Sequence, residues 1–134
     1  MRRLLLGSTL LLASAAAFGA GHPAVDKLIQ DADRGIAIMD KMLSPSYIPD
    51  TSAEQIPIDV GVLTAARNAI DDDAPAAVRE AKGAELRQAV KAYYAAAAAY
   101  LAAPVPQTYA DVSARAHARE ELTKARKMLQ LEMQ

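Results

Sequence analysis

The chain has 134 residues, with 15 basic and 16 acidic side chains and no cysteine. That length holds one domain, and the near-neutral balance offers no electrostatic footprint for nucleic acid. Without cysteine, a disulfide scaffold, a thiolate metal site and haem attached through cysteine are excluded, so packing must supply the stability.

The first residues, "MRRLLLGSTLLLASAAAFGAGHPAV", carry two arginines, an apolar run from Leu4 to Phe18, and then small residues. That is the layout of a secretory signal peptide. As helix the run reaches roughly 22 Å, short of the roughly 30 Å of a bilayer core. A retained signal-anchor is the rival reading. Small residues at 15 and 17, at 17 and 19, and at 19 and 21 all suit cleavage, and the cut after Gly19 is the favoured one. The expected division is therefore a signal peptide at 1–19 and a single helical domain at 20–134, placed in the periplasm or secreted. From 20 to 73 there are ten acids against four bases; from 74 to 134 there are six against nine. The two halves of the domain carry opposite charge.

Val25, Ile29, Ala32, Ile36, Met39 and Leu43 recur at alternating spacings of four and three. This predicts an amphipathic helix from Pro23 to about Leu43, where the "SPS" that follows stops it. Residues 44–57, "SPSYIPDTSAEQIP", form a long proline-rich connection. Thr51 and Glu54 in it have capping-box spacing. Tyr47 and Ile48 are its apolar members. They either fold back as a lid over the end of the helices, which is the favoured form, or stand exposed as a partner-binding contact.

The second helix is expected from Pro57 to Asp72, with apolar rows Ile58, Val62, Ala65, Ala69 and Leu63, Ala66, Ile70. The "DDDAP" that follows suits the start of a new helix, with Asp73 as cap and Pro75 in the first turn. An alternating calcium-loop pattern is absent there. The third helix carries "KAYYAAAAAYLAAP" (91–104). Its apolar run from Ala92 to Ala103 makes roughly 18 Å of helix, too short to span a bilayer. Alanine is the strongest helix former, so the run reads as a closely packed helix whose tyrosine hydroxyls find polar partners or water. Gly83 leaves two forms open: a short helix (75–82) before a long one (84–103), or one helix kinked at the glycine, which is the expected form. Pro104 and Pro106 end it. The fourth helix is expected from Thr108 to Glu132, with Tyr109, Val112, Ala116, Leu122, Ala125 and Leu129 on its buried side and Asp111–Arg115 and Glu120–Lys124 as ion pairs. The whole reads as an all-α, antiparallel four-helix bundle.

Little in the chain is reactive. His117 falls among polar neighbours and is expected at the surface. There is no zinc-protease motif, phosphate loop or nucleophile–base pair, so no enzyme activity and no cofactor are expected. Four helices with methionines on the first and a histidine on the last resemble the b-type cytochrome bundles in architecture, but an outward-facing His117 implies no haem. The stretch "AARNAIDDDAPAAVREA" (65–81) resembles the helical YfdX-type periplasmic stress proteins in its small-residue pattern, which implies a stress-related role and carries no site residue across.

One metal reading exists. Cleavage after Gly19 leaves Ala20, Gly21 and His22 at the new terminus. Their free amine, two amides and imidazole can close a square of four nitrogens for Cu(II) or Ni(II); the plain alternative is a frayed terminus. The function expected overall is non-catalytic binding of another protein, with no nucleic acid and no stable membrane span once the signal is removed. The alternative is an immunity or inhibitor protein that neutralises a toxin or hydrolase, meeting a basic enzyme with the acidic first half.

Overall fold

The computed structural model describes residues 21–102 and 109–134. The expected signal peptide, Ala20, and the prolines at 104 and 106 lie outside these residues, as do the side chains of Tyr109, Asp111 and Val112. Within them the protein is all-α: α1 (Pro23–Met42), the one-turn α2 (Tyr47–Asp50), α3 (Gln55–Glu80), α4 (Ala84–Ala102) and α5 (Tyr109–Glu132). The long helices pack antiparallel to their chain neighbours. Lys27 of α1 bonds Asp73 near the end of α3, while Lys41 bonds Asp59 near its start. Asp33 and Asp40 of α1 likewise meet Arg126 and Arg119 of α5 in reversed order.

The stripe of α1 forms as its spacing requires. Val25, Ile29, Ala32, Ile36 and Met39 are buried, with Leu28 beside them. Burying one such large side chain contributes about 1.5–3 kcal/mol. The core continues through Leu63 and Ile70 of α3, Val90, Tyr93, Tyr100 and Leu101 of α4, and Leu122 and Leu129 of α5. Gly35 lets α1 approach closely. A Cβ there would lie 2.9 Å from Ala66 Cβ and 2.9 Å from a Leu101 methyl.

Four expectations are corrected. No new helix starts at Asp73; α3 runs through "DDDAP" to Glu80 with Pro75 inside it. Tertiary contacts override the local stop signal, because Ile70, Ala74, Ala77 and Ala81 form one buried row with helical spacing. The three aspartates are dispersed to separate surroundings. Asp71 accepts the Tyr94 hydroxyl at 2.5 Å, Asp73 accepts Lys27, and Asp72 is exposed. Second, the region around Gly83 is a break and not a kink: Ala81 is extended and Gly83 has a φ of 91°, a conformation that favours glycine. The short 75–82 piece therefore belongs to the preceding helix.

Third, of the two expected rows of α3 only Leu63–Ala66–Ile70 is buried; in the other, Ile58 and Ala65 are exposed and Val62 and Ala69 half-buried. Fourth, α5 buries Arg115 where Ala116 was expected, and Lys124 pairs with Glu121 rather than Glu120. The start of α1 has no cap of its own. Instead the Glu80 carboxylate, from the far end of α3, accepts the N–H groups of Ala24 and Val25 at 3.0–3.1 Å. A negative charge at that terminus also suits the helix dipole.

Candidate functional site

The proline-rich connection is held by one buried polar cluster. Asp59 lies one turn into α3, in the row Ile56, Asp59, Leu63, Ala66, Ile70, which faces α1. Its carboxylate accepts the Tyr47 hydroxyl at 2.8 Å, Gln55 Nε2 at 2.9 Å and Lys41 Nζ at 3.0 Å. The Gln55 bond, then those from Tyr47 and Lys41, hold its pKa below the ordinary value. Burial, and then the bond to Asp59, push the Tyr47 phenol up. Lys41 also stands over the Tyr47 ring, 5.9 Å from its centre. Three donors engage this carboxylate. It is suited to fixing the fold of α2 on α3, not to taking a proton from a substrate.

Tyr47 and Ile48 part company here. Tyr47 is 5% exposed and packs inward, while Ile48, the next residue, is 67% exposed. The pair therefore does not close together as a lid. Ile58 and Val60, on either side of Asp59, are also exposed. Thus Ile48, Ile58 and Val60 stand outside a segment whose backbone is anchored from beneath. Asp50 and Glu54 are exposed in the same segment. The capping residue of α3 is Glu54, which makes no side-chain cap bond, and it is Ser52 Oγ, not Thr51, that accepts the Gln55 N–H, at 3.2 Å.

A second exposed apolar pair, Met128 and Leu131, lies at the opposite end of the helices. Met128 borders an open groove of about 560 Å³, floored by Ala84, Ala89 and Ala92 of α4. Between α1 and its neighbours, Tyr100 donates to Asp40, which also receives Arg119 at 3.0 Å. Arg126 pairs with Asp33, and the buried Arg115 donates to Met39 Sδ at 3.0 Å. Burial raises the phenol pKa of both Tyr93 and Tyr100.

Of the metal candidates, Ala20 is outside the described residues. Gly21 and His22 precede α1, and His22 is half-buried, its Nδ1 without a hydrogen-bond partner. Among the described residues, no three His, Cys, Asp or Glu side chains are grouped to hold a metal ion. His117 is exposed on α5.

Asp59 was missed in the sequence. The signal was present: an acid occupies a step of an otherwise apolar three-four row, where it must be buried and therefore bonded. No protein-family model matches the chain, nor does any curated protein or solved structure.

Proposed function

We propose that the protein is an exported, non-catalytic four-helix bundle that acts by binding another protein through the α2–α3 end. One observation carries the reading: Ile48, Ile58 and Val60 are exposed on a segment that the buried Tyr47–Asp59–Lys41 cluster holds in place. Large apolar side chains on a fixed backbone lose little conformational freedom when a partner covers them. Asp50 and Glu54 stand in the same segment, and the first half of the domain is acidic. The complementary partner has a basic surface around an apolar centre.

The same features support a narrower reading, an immunity or inhibitor protein that occludes a basic toxin or hydrolase. It requires one tight, stoichiometric partner, whereas a stress-related role requires many weak clients. Copper or nickel binding at Ala20-Gly21-His22 is a separate proposal that depends on cleavage after Gly19. Mass spectrometry of the mature terminus and loss of copper binding in His22→Ala test it. As to membranes, no helix among the described residues is long and apolar enough to cross one.

Affinity capture from the exported fraction, followed by titration of the purified partner, tests the main proposal. One partner at one-to-one stoichiometry, weakened at least tenfold by Ile48→Asp at unchanged melting temperature, supports it. A catalytic turnover by the chain alone, or binding indifferent to Ile48→Asp, opposes it.

A further inference from the structure

The seam between α1 and α3 contains two carboxylates that face each other. Asp31 of α1 and Asp73 of α3 are brought side by side by one shared cation. Their side chains are 8% and 9% exposed. Both accept the same ammonium: Lys27 Nζ is 2.8 Å from Asp31 Oδ2 and 3.1 Å from Asp73 Oδ1. Asp31 Oδ1 receives Arg34 at 3.1 Å. Three of the four carboxyl oxygens therefore have a nitrogen donor. The fourth, Asp73 Oδ2, is buried with no donor at all.

We propose that Asp31 and Asp73 share one proton, carried on Asp73 Oδ2 and donated to Asp31, and that this proton latches α1 to α3. A carboxylate bracketed by two cations stays ionised; a buried oxygen with no donor is satisfied by carrying a hydrogen itself. The two cations do not remove the need for the proton. Lys27 and Arg34 are 64% and 59% exposed, so water and salt screen them, while the carboxylates are desolvated and close together. Lys27 and Arg34 are the charged groups that face the pair from α1. Among the described residues no other charged group of α3, and none of α4 or α5, is shown bonded to either acid; Asp71 and Asp72 adjoin Asp73 in the chain.

The two acids respond to pH in opposite directions. Burial, and then the bond to Asp31, raise Asp73 above its ordinary value. The folded chain then holds a proton that the unfolded chain has lost, and stability falls as pH rises through Asp73's folded value. Asp31 is lowered, chiefly by the bond from Asp73. Its contribution is complete above the ordinary aspartate value and is lost as pH falls through its folded value. The pair's combined contribution is thus greatest around the ordinary aspartate value, between the two folded values, and declines as pH rises through that of Asp73 or falls through that of Asp31.

The test is a carboxyl carbon NMR titration of the full chain, with melting curves of wild type and Asp73→Asn from about pH 4 to about pH 8. The asparagine amide keeps a donor toward Asp31 without titrating. The expected result is an Asp73 carboxyl that titrates above an ordinary aspartate and an Asp31 carboxyl that titrates below it. The wild-type melting temperature should fall relative to Asp73→Asn as pH rises. An Asp73 carboxyl at or below the ordinary value overturns the proposal, as do parallel melting profiles. The wild-type titration decides the matter even if Asp73→Asn does not fold.

Discussion

The Tyr47 hydroxyl donates to Asp59 Oδ2 across 2.8 Å, joining a one-turn helix to the first turns of α3. The buried Tyr47 ring and the Lys41 ammonium over it hold the segment at the same point. Tyr47→Ala removes both the buried ring and the donor, and should lower stability by about 3 kcal/mol. Tyr47→Phe should cost less, because the ring is kept. Ile48→Ala, at the neighbouring exposed position, should stay within about 0.5 kcal/mol of wild type. Three thermal melts check the ordering.

Acid should release the same segment. Asp59 is held below the ordinary aspartate value by its three donors, so its contribution is present above that value and is lost as pH falls through its folded pKa. Asp59→Asn should therefore be less stable than wild type at neutral pH, with the gap closing in strong acid. Chemical denaturation at a series of pH values reads this directly. A gap that widens on acidification contradicts the assignment.

Gly35→Ala should destabilise although it replaces the poorer helix former with the better. The new methyl would sit 2.9 Å from both Ala66 and Leu101, forcing α1 away from α3 and α4. Overpacking of this kind costs about 1–3 kcal/mol, more than the roughly 1 kcal/mol that helix propensity returns. A rise in melting temperature would show that the helices yield.

Pro75→Ala should stabilise. Pro75 is exposed inside α3 and cannot donate to the carbonyl of Asp71. Alanine restores that bond without disturbing the buried row, and a gain of about 1–3 kcal/mol is expected by thermal denaturation.

These cases show what the sequence made legible. The stripe of α1 could be read because its apolar residues keep one face at unbroken helical spacing, and the tertiary structure uses that face. The break at Gly83 was visible as a possibility, since glycine alone marked it. Continuation of α3 through "DDDAP" was hidden, because local propensity there argues for a stop and only distant contacts argue against one. On α5, Arg115 resembles a surface residue until Met39 is brought beside it. Tyr47 was recognisable as an odd apolar residue in a polar loop; its partner Asp59 was recoverable only from an interruption in an apolar row. The Asp31–Asp73 juxtaposition joins residues 42 positions apart on two helices, and no local pattern announces it.

Binding of a basic protein partner by the exposed α2–α3 end is the central claim. Isothermal titration of that partner against wild type, Ile48→Asp/Ile58→Asp and the control Met128→Asp/Leu131→Asp tests it most directly. The expected result is at least a tenfold loss of affinity in the first variant, with none in the control. Equal affinity across all three proteins, or loss in the control alone, would contradict it.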